Sequence, residues 1–208
     1  MNRALFLDRD GTIIEDPGYL RDPEAIRFFP HAADVLRALV RAGWKLIVVS
    51  NQSGVGRGLI HHREMVAVQD RFLAMMKEAG APITATYVCI HLPEDACQCR
   101  KPSDFLVRQA AREHTIDLGA SWMIGDRESD IACGKNSGCR TIWLRNPHFS
   151  VDPVLPDIIA NDWRDIERFL VAAESAQSPI AETRTSEPAT ISINSAETSS
   201  GLRSPSIR

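Results

Sequence analysis

Short apolar runs alternate with amphipathic stretches from the start of the chain to about residue 173, and the two kinds of segment predict different elements. Ala4-Leu5-Phe6-Leu7 is too short and too uniformly apolar for a one-faced helix. It predicts a buried strand that stops at the acidic Asp8. Ala32, Val35, Leu36, Leu39 and Val40 follow i, i+3, i+4, i+7, i+8 spacing, which predicts a helix with one core face, opened near Pro30 and closed near Gly43. Leu46-Ile47-Val48-Val49 predicts a second strand, which runs into Ser50-Asn51-Gln52-Ser53-Gly54. A helix over roughly 61–79 follows, then a strand over 86–90 and a helix over about 103–114. Trp122-Met123-Ile124 predicts a strand ending at Gly125-Asp126. Beyond it lie a short helix over about 128–137, a fifth strand over 140–144 and a final helix over about 162–173.

Alternation of this kind predicts a Rossmann-like α/β fold, a parallel sheet covered by helices on both faces. Ligands of such folds sit beyond the carboxyl ends of the strands. Asp8, Ser50 and Asp126 each follow directly on an apolar strand, so three polar groups from distant positions are expected to meet at one rim. The pattern fades near residue 175. From there to Arg208 the chain is rich in Ser, Thr, Pro and Glu and lacks aromatics. A segment of that composition buries too little apolar surface to offset its ordering entropy. The expected organisation is one domain over 1–174 and a disordered tail over 175–208.

Composition adds exclusions. An apolar share of 44% in 208 residues suffices for a substantial core, and a net charge of −3 gives no basic excess for a nucleic-acid backbone. No run approaches the roughly 18–20 apolar residues of a membrane helix. Asp8, Arg9 and Asp10 interrupt the N-terminal apolar stretch before a signal-peptide core could form. A cytoplasmic monomer acting on a small molecule is expected. Of the 5 cysteines, Cys89, Cys97 and Cys99 crowd around His91, which in a reducing compartment reads as metal binding rather than disulfides.

The sharpest local signal is Asp8-Arg9-Asp10-Gly11-Thr12 after a buried strand. A tight turn at Gly11 would bring Asp10 back over Asp8. Magnesium prefers oxygen donors in near-octahedral geometry, so Asp8 and Asp126 would hold it, with the backbone carbonyl of Asp10 as a third ligand. The alternative is an aspartate-rich helix-entry turn, and Lys101 taken alone reads as a solvated charge. A carboxylate that attacks a phosphate needs cations and donors nearby to offset like-charge repulsion. Ser50, Asn51, Lys101 and the run Gly125-Asp126-Arg127-Glu128-Ser129-Asp130 provide them.

These segments resemble the four motifs of haloacid dehalogenase (HAD) phosphatases, in order and separation, over nearly all of residues 3–145. The resemblance implies the HAD fold and an aspartyl-phosphate formed on Asp8. It implies Asp10 as the acid that protonates the leaving group and then activates water, and Ser50 and Lys101 as holders of the transferring phosphoryl oxygens. Asp126 would complete the magnesium site, and Asp130 would support the metal's water shell.

Cys89-Ile90-His91 and Cys97-Gln98-Cys99 place four zinc-type ligands in one short loop. A Cys3His set leaves no open position, so zinc there would be structural and would fix where Arg100 and Lys101 point. An accidental thiol cluster or a C-x-C redox pair are the other readings. The loop followed by Cys-Arg-Lys-Pro resembles heptose-bisphosphate phosphatases and the related histidinol phosphatases, which lack a large cap domain. The resemblance implies hydrolysis of the 7-phosphate of D-glycero-D-manno-heptose 1,7-bisphosphate, within nucleotide-heptose and lipopolysaccharide synthesis. Histidinol phosphate is the alternative substrate, and a non-catalytic zinc-loop binding protein is the alternative function class. Asp16-Pro17-Gly18-Tyr19 and the run from Asn51 to Gly58 look like the heptose enzyme's loops, while the short spacer between His91 and Cys97 looks more like histidinol phosphatases. Substrate contacts are expected at Asp16, Tyr19, Asn51, Gln52 and Ser53. Arg57, Arg100 and Arg127 are expected around a distal phosphate.

Overall fold

In the computed structural model, which describes residues 1–150 and 154–177, the apolar runs become a six-stranded parallel sheet. Its strands are β1 (Ala4–Leu7), β2 (Lys45–Asn51), β3 (Ala85–Cys89), β4 (Trp122–Gly125), β5 (Arg140–Leu144) and β6 (Ile158–Ala160), in the order β3-β2-β1-β4-β5-β6. The helices are α1 (Ala32–Arg41), the single turn α2 (Ser53–Gly56), α3 (His62–Glu78), α4 (Phe105–His114), α5 (Glu128–Ser137) and α6 (Trp163–Gln177).

Successive strand residues point to opposite faces, and here both faces are covered, which is why the central strands read as unbroken apolar runs. Leu5, Leu7, Leu46 and Val48 pack with Val35, Leu36 and Leu39 of α1, Phe72 and Met76 of α3, and Ile166 and Leu170 of α6. Ala4, Phe6, Ile47 and Val49 pack on the other side with Leu106, Val107 and Ala110 of α4 and Cys133 of α5.

Strand order reverses at β1, which lies between β2 and β4. A crevice therefore opens beyond the carboxyl end of β1, where the chain crosses away to either side. Its floor is Asp8, its walls the ends of β2 and β4. Among the described residues no cap-sized insertion covers it.

The sheet carries one strand more than the periodicity predicts. Ile158-Ile159-Ala160 is too short to declare a period and becomes a strand by pairing with Ile142, Trp143 and Leu144. The last helix continues past its expected end near 173 to Gln177. The tail expected over 175–208 lies, from 178 onward, outside the described residues.

Candidate active site

The turn after β1 is fixed by backbone pairing: the Asp8 N–H donates to Ile124 O at 3.0 Å, and the Ile13 and Ile14 N–H groups donate to Arg9 O at 2.9 and 3.1 Å. Gly11 serves this turn twice over. Its φ is +83°, and a Cβ there would lie 2.4 Å from Asp126 Oδ2. Only glycine lets the turn lie against the end of β4.

Asp10 is gripped from two sides. Arg9 Nε and Nη2 donate to its two oxygens at 3.1 and 3.2 Å, and Gln52 Nε2 donates at 2.5 Å. Arg9 itself is buried, with Nη1 donating to Gln69 Oε1 at 2.9 Å. Burial raises the Asp10 carboxyl above its ordinary range. The Arg9 charge works against that rise and the neighbouring Asp8 adds to it. Gln52 also donates to Ser50 Oγ at 2.8 Å, which occupies an acceptor site on that hydroxyl and leaves its proton to donate elsewhere.

Lys101 lies under the crevice. Its Nζ donates to Asp8 Oδ1 at 2.6 Å and Val49 O at 2.6 Å, and pairs with Asp130 Oδ1 at 2.7 Å. Asn51 sets its height, donating to Lys101 O and accepting from Lys101 N. Burial acts to lower the Lys101 pKa, but Asp130 and Asp8 outweigh it and hold the ammonium charged.

Carboxylate oxygens of Asp8, Asp126 and Asp130 lie within 4.8 Å of one another, and all three residues are buried. Asp130 has both oxygens engaged, Oδ1 with Lys101 and Oδ2 with the Arg127 N–H at 3.1 Å. Asp126 differs. Its Oδ2 accepts from Asn146 Nδ2 at 2.8 Å, while its buried Oδ1 has no hydrogen-bond partner among the described residues. Burial, then Asp8, then Asp130 push its pKa up to about 7. A buried oxygen without a donor, beside two further carboxylates and one lysine, fits a hard divalent cation.

Above this floor is a cavity of about 310 Å³ lined by both aspartates of the turn, Ser50, Lys101 and Asp130. Six of the expected substrate contacts also line it at its rim: Asp16, Tyr19, Asn51, Gln52, Ser53 and Arg100, and Arg127 joins them from the β4 side. Arg127 Nη2 donates to Asp16 Oδ2 at 2.9 Å, with its guanidinium 4.3 Å from the Phe149 ring centre. Arg57 is not brought to the cavity. The glycine-rich turn winds into α2, and Arg57 becomes its exposed C-terminal cap.

The second cluster lies directly before Arg100 and Lys101, which line the same cavity. Cys89, His91, Cys97 and Cys99 bring three Sγ atoms and Nδ1 to within 4.8 Å of one another, with Sγ separations of 3.1 to 3.6 Å. Three thiols and one imidazole nitrogen around one point match the donor set of a closed tetrahedral zinc site. Gly56 N donates to Ile90 O at 3.1 Å, which ties this loop to α2, and Arg100 Nη1 reaches back within the loop to His91 O at 3.2 Å.

Arg9 and Asn146 enter the site beyond the residues that the sequence motifs point to. Arg9 had a usable signal, since a basic residue between two aspartates of a buried turn has carboxylates within reach. Asn146 had none.

A doubly covered parallel sheet with acids at the ends of β1 and β4 and a buried lysine between them defines a HAD-type phosphatase, and the HAD-hydrolase-like family profile matches residues 98–166. The chain is 39% identical over 149 residues to the D-glycero-beta-D-manno-heptose-1,7-bisphosphate 7-phosphatase of Helicobacter pylori, covering 70% of this chain and 86% of that one. It is 37% identical over 150 residues to the corresponding alpha-heptose enzyme of Burkholderia mallei, covering 69% and 79%. The crystal structure of D,D-heptose 1,7-bisphosphate phosphatase from B. bronchiseptica, complexed with magnesium and phosphate, superposes with a TM-score of 0.74 at 25% identity, covering 82% of this chain and 99% of that one. The chain belongs to the heptose-bisphosphate phosphatase family of HAD hydrolases.

Proposed function

We propose that this enzyme removes the 7-phosphate of D-glycero-D-manno-heptose 1,7-bisphosphate through an aspartyl-phosphate on Asp8. The observation that carries the reading is the pairing of a carboxylate floor bearing a buried lysine with a cationic rim at Arg100 and Arg127. One phosphate is to be cleaved, and a second must be held.

In this reading an Asp8 carboxylate oxygen attacks the phosphorus, and the bond from phosphorus to the sugar oxygen breaks. Asp10, whose raised pKa keeps it protonated more readily than an ordinary aspartate, gives its proton to the departing alkoxide. Asp10 then takes a proton from the water that attacks the acyl-phosphate, which releases phosphate and restores Asp8. Lys101 Nζ and the Ser50 hydroxyl hold the transferring oxygens, and the Arg9 and Gln52 grip keeps Asp10 aimed at the leaving group. Asp8, Asp126 and the Asp10 carbonyl would hold magnesium, with Asp130 beside it. The ion supplies positive charge that offsets repulsion between the carboxylate nucleophile and the phosphate. Cys89, His91, Cys97 and Cys99 would hold zinc, which pins the loop that carries Arg100 and Lys101.

The test is phosphate release with magnesium from both anomers of the heptose bisphosphate, beside histidinol phosphate and fructose bisphosphate, with Asp8→Asn as control. A preference for either heptose anomer is expected. Preferential turnover of histidinol phosphate would overturn the substrate while keeping the chemistry, and equal poor rates on all would overturn the substrate class.

A further inference from the structure

We propose that Asn146 is a positioning residue that commits one oxygen of Asp126 and leaves the other to the catalytic cation, an inference that rests on the magnesium role assigned to Asp126 above. Asn146 lies just beyond β5, which pairs with β4 so that Trp143 stands opposite Gly125. The loop after β5 is thereby laid beside the β4 end that presents Asp126. Trp143 Nε1 fastens that end, donating to Asp126 O at 2.9 Å.

The orientation of the Asn146 amide follows from its own partners. Its Oδ1 accepts from the His148 N–H at 3.0 Å, and a backbone N–H can only donate. The amide NH2 is therefore the end facing Asp126, and it donates to Oδ2 at 2.8 Å. Gly11 closes the other side, where there is room for a hydrogen but not a Cβ beside Oδ2. One carboxylate oxygen is thus confined and hydrogen-bonded, while buried Oδ1 has no hydrogen-bond partner among the described residues.

A neutral donor suits this place. A lysine or arginine would neutralise Asp126 and repel the ion, and a second carboxylate would repel Asp126 from its place. An amide orients the ligand and leaves its charge for the metal, which is how hydrogen-bond partners behind metal ligands ordinarily act.

The experiment measures magnesium binding to metal-free full-length protein by calorimetry, with manganese titration followed by electron paramagnetic resonance as a second readout. Wild type, Asn146→Ala, Asn146→Leu and Arg145→Ala are compared, the last an exposed neighbour on the same loop. Asn146→Ala and Asn146→Leu are expected to weaken both ions about ten- to a hundredfold, with kcat mostly recovered at saturating magnesium. Arg145→Ala should bind as wild type does. Should the alanine variant fail to fold, the leucine variant, which keeps the volume without the donor, carries the test. Wild-type binding with unchanged affinity in the Asn146 variants would overturn the role of Asn146 while the magnesium site stands. If wild type bound neither ion, the magnesium reading would fall and this inference with it.

Discussion

The carboxylate floor lines the cavity and the thiol cluster leads into it through Arg100 and Lys101, yet the two are held together in opposite ways. The floor gathers Asp8, Asp126, Asp130 and Lys101 from the ends of β1 and β4, from α5 and from the approach to α4, all nearly out of solvent. Its acids repel one another, and the sheet beneath them, together with the Lys101 ammonium between Asp8 and Asp130, keeps them close. The thiol cluster is drawn from one stretch, Cys89 to Cys99, in which only Cys89 is buried and the intervening residues are largely exposed. Cys89 belongs to the core beneath α4 and Cys97 and Cys99 pack against its edge, while the residues between them supply no core of their own. At the floor the fold organises the ion; at the loop an ion would organise the fold. The two meet at Arg100 and Lys101, directly after the last thiol.

The sharpest break in this comparison is at Asp8, the proposed nucleophile. Asp8→Asn is expected to lower phosphate release by at least about 10⁴-fold, in line with removal of nucleophiles elsewhere, with an unchanged circular dichroism spectrum. The substitution also takes one charge out of a crowded cluster, so thermal stability without magnesium should hold or rise. Residual turnover near the wild-type rate would place the nucleophile elsewhere.

Lys101→Met tests whether the floor depends on its buried lysine. Its removal leaves Asp8 and Asp130 facing each other unpaired, and breaking buried pairs of this kind costs about 3–5 kcal/mol. Activity should fall about 10²–10³-fold, the scale for loss of one preorganised donor to a developing charge. Urea unfolding and phosphate release measure the two effects. A variant as stable as wild type would show that the carboxylates are held by the sheet alone.

How far the sequence spoke for each region follows from the same contrast. The thiol cluster is local, so its four ligands could be read from spacing. The strand-end acids could be read because doubly buried strands are unbroken apolar runs that stop abruptly. Lys101 could not be weighed locally, since a lone lysine reads as solvated until Asn51 and two distant carboxylates draw it inward. Arg57 shows the converse: its glycines suggest an open anion cradle, whereas the turn closes into α2 and leaves Arg57 exposed as its cap, outside the cavity lining. Asn146 and β6 depend on strand pairing late in the chain, which no period announces.

Cys97→Ser addresses the other region. Zinc is expected to fall from about one ion per chain to a small fraction, since a tetrahedral site loses a quarter of its ligands. Activity should drop about tenfold through displaced Arg100 and Lys101, with added magnesium unable to restore it. Chelation of the wild-type enzyme provides the matching contrast, because activity lost at the floor should return with magnesium alone. Full activity in zinc-free protein would separate the two regions functionally.

The smallest effect concerns the rim. Arg127 and Asp16 form a half-exposed pair, so Arg127→Ala should change stability by less than about 1 kcal/mol. Its effect should appear in KM for a bisphosphate, raised about tenfold, as loss of one hydrogen bond to a charged group predicts, with kcat little changed. The same variant assayed on a monophosphate should show almost no difference, because the group that Arg127 would grip is missing. Asp16→Asn distinguishes the partners of this pair. If Asp16 only parks Arg127, freeing the guanidinium lowers KM or leaves it unchanged; if Asp16 holds a sugar hydroxyl, KM rises for bisphosphate and monophosphate alike. Equal loss on both substrates for Arg127→Ala would move the distal phosphate away from the β4 side and toward Arg100, which stands across the cavity on the thiol loop.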